Sequence, residues 1–287
     1  VLISKLTLMQ TKRIISTSTL IALAMVLTMT ACKRDKNNTV DVEEDTYYAD
    51  DQARMDQSFN DAQTLADQAY ETGNVQMKGG PSILGACATV TRDTTSTPRK
   101  ITIDFGTTNC LCNDGRLRRG KIIITYTGKY RDSGSLKTIG FDGYYVNNNQ
   151  VLGTKTITNM GRNSSGQLYY NIAVNGMMIL NTTGDTVKHV ASRVRTWVNG
   201  ESTTLLSDDE YRITGSGTNT RASGKVVNYN ITSALLVALN CNWIKEGTIA
   251  ITPAGASSAR TLEFGAGTCD DQATINYNGR TRSITLR

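Results

Sequence analysis

The sequence predicts an all-β protein: an antiparallel meander forming a sandwich or a (half-)barrel, with one N-terminal amphipathic helix. Three observations point there. Thr accounts for 41 of the 287 residues, and Thr, Tyr, Ile and Val favour pleated, half-buried surfaces. Runs rich in these residues are divided by Asp114-Gly115, Asp142-Gly143, Asn199-Gly200 and Asn278-Gly279, pairs that tolerate the positive φ of tight hairpins. Connections are short and strands do not alternate with helices, which argues against a parallel sheet.

Residues 1–31 read as a signal peptide of lipoprotein type. Lys12-Arg13 precede an apolar run from Ile14 to Ala31 that ends in Met29-Thr30-Ala31-Cys32, the basic, apolar, small-residue order of a secretory signal. Ser16, Thr17, Ser18 and Thr19 interrupt the run and leave its apolar core too short for a comfortable transmembrane span. Cys32 after Thr-Ala resembles the bacterial lipoprotein box, with Met29 where that box usually has Leu. The resemblance makes Cys32 the lipidation site and the membrane a partner through that lipid. An ordinary secretory signal with an incidental cysteine is the alternative. Residues 32–49 follow as a polar tether with Asp41, Glu43, Glu44 and Asp45. Such a stretch has too little apolar surface to offset its ordering entropy, so disorder is expected.

From Asp50 to Gly73 the pattern turns helical. Met55, Phe59, Ala62, Ala66 and Ala69 recur at four- and three-residue steps, the signature of one apolar face. Asp50 or Asp51 can cap the start, and Gly73 can close the end. An Ala-rich stripe suits close packing on the same chain better than a dimer seam of short heptads. Asn74–Ala86, containing Gly79-Gly80-Pro81, completes segment 50–86 as a linker.

The domain from Cys87 to Arg287 is strand and turn. Lys121–Tyr130, Val151–Asn159, Leu168–Leu180 and Thr186–Val198 are enriched in β-branched and aromatic residues. Ser233–Leu239 is strongly apolar and fits either a buried strand or a helical turn.

A duplicated motif frames this domain. Asp104-Phe105-Gly106 leads to Cys110, and Glu263-Phe264-Gly265 leads to Cys269 at the same spacing. Gly120-Lys121 and Gly279-Arg280 follow at equal distances, and Cys87 and Cys241 precede the two copies. Matching registers of this kind mark an internal repeat. With Cys32 lipidated, repeat symmetry pairs Cys87 with Cys110 and Cys241 with Cys269, while Cys87–Cys112 competes with the first of these. The acids of the two triplets are expected to fix the turn before each cysteine by bonding local amides.

Cys87-Ala-Thr-Val, the run Ile103-Asp-Phe-Gly to Cys110 and Asp114-Gly-Arg-Leu-Arg-Arg-Gly-Lys121 resemble a set of β-rich secreted lipoproteins of Bacteroidota that are functionally uncharacterised. Arg193-Val-Arg-Thr-Trp197 and Phe264-Gly-Ala-Gly-Thr-Cys-Asp270 fit the same pattern. The resemblance implies a fold and a location, the outer membrane of the cell envelope facing periplasm or surface, and no activity.

The formal charge of +6 becomes +3 without residues 1–31, which carry Lys5, Lys12 and Arg13 and no acid. That balance does not call for a nucleic-acid partner, which needs a clustered basic surface. His189 is the only histidine, so His-rich zinc sites are excluded by count and no metal is expected. Neither a phosphate-cradling glycine loop nor a Gly-x-Ser-x-Gly elbow occurs, and no catalytic residue or cofactor is assigned. Asp104, Asp142, Asp208, Asp209, Glu210 and Glu263 are available as paired carboxylates for glycoside hydrolysis, with nothing to single any of them out. Asp208-Asp209-Glu210 reads as a solvated loop or a helix start, with calcium binding as the lesser alternative.

One strand face stands out as a candidate ligand site. If Thr186–Val198 is extended, Val190, Val194 and Val198 point one way and His189, Arg193, Arg195 and Trp197 the other. An Arg-x-Arg-x-Trp ladder offers fork donors for an anion and an aromatic plane for a sugar or a cation. The competing view is that the arginine stems cover the sheet and pair with neighbouring carboxylates. The overall expectation is a non-enzymatic envelope lipoprotein acting as a binding or structural module, with a glycan, an anion or a lipid as ligand. A carrier of hydrophobic cargo in a curved sheet, or a carboxylate-dependent hydrolase, are the alternatives.

Overall fold

The structure is a computed structural model and describes residues 37–72, 83–203 and 205–286. The signal segment, Cys32 and most of the expected linker lie outside the described residues. The chain divides into two units, residues 1–44 and 45–287, and the second carries the whole sheet.

Among the described residues one α-helix, α1 (Asn37–Thr72), precedes fourteen strands. These are β1 (Thr89–Asp93), β2 (Arg99–Asp104), β3 (Cys110–Leu111), β4 (Leu117–Tyr126), β5 (Leu136–Val146), β6 (Asn149–Arg162) and β7 (Leu168–Ile179). They continue as β8 (Thr186–Asn199), β9 (Glu210–Arg221), β10 (Val226–Ala238), β11 (Ile244–Pro253), β12 (Arg260–Ala266), β13 (Gln272–Tyr277) and β14 (Arg280–Thr285). The path runs β1-β2-β4-β5 and then consecutively to β14, with β3 paired only to β4. It is an antiparallel meander and an open sheet, since β1 and β14 do not pair with each other. Ser233–Leu239 falls largely in β10, where both β9 and β11 flank it and register shifts between Ile231 and Val237 place Leu235 and Leu236 side by side in the core.

The helix begins at Asn37, so residues 37–49 are helical where disorder is expected, and Asp50 and Asp51 lie inside it rather than capping it. Extending a helix that is already nucleated adds a hydrogen bond for each residue fixed, which favours such growth. The predicted apolar stripe is buried: Met55, Phe59, Ala62, Ala66 and Ala69 are all 2% exposed or less. So are polar residues before and between them, with Asp51, Gln52, Asp56, Asp61, Gln63, Asp67 and Gln68 all buried. At about 100° per residue, Asp51, Asp56 and Asp61 point to three well-separated sides of the helix. A flat sheet could cover only one of those sides. The sheet therefore curls as a half-barrel around the part of α1 that belongs to the second unit, residues 45–72, which fills its concave face.

The two copies of the repeat lie toward opposite ends of the sheet. Phe105 and Phe264 are both buried at 2% exposure, and the glycine after each adopts a left-handed turn, with φ of 79° at Gly106 and 85° at Gly265. Asp104 accepts the Gly106 amide at 2.8 Å, as expected of a turn-fixing acid. Disulfides join Cys87 to Cys110 and Cys241 to Cys269, with Cα separations of 5.9 and 5.8 Å. Cys112 remains a buried free thiol, so the competing Cys87–Cys112 pairing is not formed.

Candidate functional site

The concave face of the sheet is lined with bases, and α1 supplies the acids that meet them. Asp51 pairs with Arg221 of β9 at 2.6 Å. Asp56 pairs with Arg193 of β8 and accepts the Gln52 amide at 2.8 Å. Asp61 takes Arg118 of β4 at 2.7 Å and Arg116, just before β4, at 3.0 Å. Asp67 takes Lys137 of β5 at 2.7 Å and Arg195 of β8 at 3.2 Å. Asp56 and Asp67 are eleven residues apart, about three helical turns, and so face the same strand, β8. Lys155 of β6 pairs with no carboxylate among the described residues and donates instead to the Phe59 carbonyl at 3.1 Å and to Asn60 Oδ1 at 3.4 Å. Burial, then the charges of Arg195 and Arg193, push its ammonium well below its ordinary pKa.

Each pair exists because the other half removes its cost. A charge taken out of water is costly unless it is matched and hydrogen-bonded, and here nearly all the matching groups come from distant parts of the chain. Burial raises the Asp61 pKa, but Arg118 and Arg116 outweigh it and hold the carboxyl below its ordinary value. His189 sits in the same network. It bonds Asn219 at 2.7 Å through Nδ1, and Asn219 in turn donates to Gln52 at 2.8 Å. Burial pushes the imidazole down to about 4, so it is neutral near pH 7. Phe59 stacks on the His189 ring at 5.8 Å between centroids and seats over Gly176 of β7, where a Cβ would lie 2.0 Å from its ring.

The predicted ladder thus has the expected strand parity and the opposite surroundings. His189, Arg193, Arg195 and Trp197 share one face of β8, but they are 1%, 6%, 3% and 4% exposed, while Val190 is 52% exposed. The expectation of an accessible anion- or sugar-binding ladder is corrected: Asp56 engages Arg193, Asp67 engages Arg195, and both guanidinium groups are buried. Of the four, Trp197 lines a cavity of about 280 Å³, shared with Tyr130, Arg131, Lys137, Asp209 and Tyr211. Asp209 precedes β9 after a short turn at Leu206–Asp208. Its Oδ1 has no partner among the described residues, and burial, then the neighbouring Asp208, push the carboxyl up to about 7.

A larger cavity of about 500 Å³ opens beside the middle of α1, walled by the turns before β4, between β5 and β6, between β7 and β8 and between β10 and β11. Trp243, Arg116, Asn147, Asn149 and Asn181 contribute side chains to it. Sequence reading misses this group because curvature of the sheet, not spacing along the chain, assembles it. The acids of α1 did leave a signal: Asp56, Asp61 and Asp67 recur inside a helix, where Asp is a poor former and needs a reason. No group of three or more His, Cys, Asp or Glu able to hold a metal occurs among the described residues. No family model, curated protein or solved structure matches the chain.

Proposed function

We propose that the protein is an envelope-anchored lipoprotein, tethered through a lipid on Cys32, whose β domain acts as a non-enzymatic binding or structural module. The observation that carries this reading is the helix-filled interior. The concave face, where a carrier would hold its cargo, is taken by Phe59 and by four buried carboxylates matched to the sheet. A hydrophobic ligand would have to displace all of these. What is left for recognition is the set of preformed, open cavities between the turns, of a size typical of ligand sites. Two disulfides favour a compartment where such bonds persist.

The anchoring is tested by expressing the full chain and a Cys32→Ala variant with an alkyne-bearing fatty acid in a bacterial host. The expected result is label and membrane association in the first and neither in the second. A chain that stays unlabelled and soluble would overturn the anchor.

A further inference from the structure

We infer that the cavity beside Trp243 is a saccharide-binding site. This rests on reading the domain as a binding module and names the ligand class for that module. The cavity holds about 500 Å³ and is partly open to solvent. Its floor is charge-balanced, because Arg116 lies 3.0 Å from Asp61 and 3.6 Å from Asp114. The same guanidinium lies 5.3 Å from the centre of the Trp243 ring and pins it from one side.

The walls carry hydrogen-bond donors held in place by their own acceptor halves. Asn147 accepts the Leu117 amide on Oδ1 at 3.0 Å, and Asn149 accepts the Asn181 amide on Oδ1 at 3.0 Å. Asn147 is further fixed by its left-handed backbone, with φ of 47°. The carbonyl oxygen of each side chain is thus engaged, and each NH2 group makes no hydrogen bond among the described residues. The Trp243 indole N–H and the Arg54 guanidinium add donors to the same cavity, again with no hydrogen bond among those residues. Fixed donors of this kind bind without further ordering cost.

This chemistry selects its ligand. A purely apolar molecule would leave the asparagine and indole donors unpaired in a closed contact, at a cost. A small inorganic anion would use one donor cluster and leave the aromatic plane bare. A sugar has an apolar C–H face to lie on indole and a rim of hydroxyls to accept from the amides, so it uses both. A pyranose chain of two or three rings matches the space, and the extra donors at Arg54 accept either a ring hydroxyl or a uronate carboxylate.

The test uses the full chain in a sugar-free zwitterionic detergent. The chain has two tryptophans, Trp197 and Trp243, so a Trp197→Phe background makes Trp243 the only indole. Maltohexaose, cellohexaose, chitohexaose and hexagalacturonate are titrated while Trp243 emission is read, and calorimetry gives the affinity. At least one of the four is expected to change the emission saturably. The paired substitution N147D/N149D keeps each Oδ1 acceptor and removes each donor. It is expected to weaken binding by about tenfold or more, the equivalent of one lost hydrogen bond, while circular dichroism stays unchanged. Absence of binding across all four sugars, or binding indifferent to N147D/N149D, overturns the site. Failure of acylation at Cys32 leaves this titration untouched, so the two readings fail separately.

Discussion

Arg118 Nη2 stands 2.7 Å from Asp61 Oδ1, with the arginine side chain fully buried. The contact joins the middle of α1 to the first long strand of the sheet, 57 residues away in sequence. Asp114 closes on the same guanidinium at 2.6 Å, so Arg118 is held by two carboxylates.

Removing one charge from this group strands the others. Asp61→Ala leaves Arg116 and Arg118 with Asp114 alone, and the expected loss is about 3–5 kcal/mol in urea unfolding. Replacing Asp61 with Leu and Arg118 with Met together leaves the Arg116–Asp114 pair intact, and most of the stability is expected back. A loss under about 1 kcal/mol for Asp61→Ala would show that the helix is held by packing alone.

The seat of Phe59 is set by the absence of a side chain. A methyl group at Gly176 would meet the Phe59 ring at 2.0 Å, and the ring is confined by His189 and by Phe141 at 5.8 Å. Gly176→Ala is expected to cost about 1–3 kcal/mol through overpacking. Pairing it with Phe59→Leu should recover part of that loss; thermal unfolding of the single and double variants reads this directly.

The sulfur chemistry is checked by mass. Without reductant, the native chain should resist alkylation at buried Cys112 and take up one label there once unfolded in urea. In a Cys32→Ala background this is the sole label, since Cys87, Cys110, Cys241 and Cys269 are bridged. Losing the Cys241–Cys269 bridge, which closes a 28-residue separation, is expected to cost about 3–4 kcal/mol on a loop-entropy basis. More than one label before reduction contradicts the pairing.

Asp209 gives the fold a pH dependence of definite sign. Its folded pKa is raised to about 7 from 3.8, so the folded state holds a proton that the unfolded state releases between those values. Its contribution is fully present below about pH 4 and is lost as pH rises through 7. Asp209→Asn removes that dependence, and the variant should gain on the wild type steadily from pH 4 to pH 8. His189, pushed down to about 4, acts in the opposite sense, and its contribution is lost as pH falls from its unfolded value toward 4. A stability difference between Asp209→Asn and wild type that stays flat with pH would remove the assignment.

Much of the architecture could be read from local pattern. Hairpin turns, alternating strands and the doubled Phe-Gly-Cys motif are short-range features, and β8 shows the expected alternation residue by residue. What could not be read is which side of β8 faces inward. Arginines next to valines ordinarily place the valines inside; here Asp56 and Asp67, more than a hundred residues earlier, reverse the preference. The helix is legible through Met55 and Phe59, but the burial of its carboxylates is not, because their partners are scattered over four strands and the turn before β4. The Trp243 cavity had no sequence trace for the same reason: it is built by curvature.

The distance in sequence between Asp51 and Arg221 is 170 residues, and this sets an order of events during synthesis. The helix leaves the ribosome before any strand that will enclose it. At about 5–20 residues per second, Arg221 is made on the order of ten to thirty seconds after Asp51. In that interval the carboxylates stay solvated, while the apolar stripe of Met55 and Phe59 has an unmet need for the cover of strands still to come. A chain ending before Arg221 never satisfies it, so truncation products should be recognised as incomplete however many hairpins they have already formed.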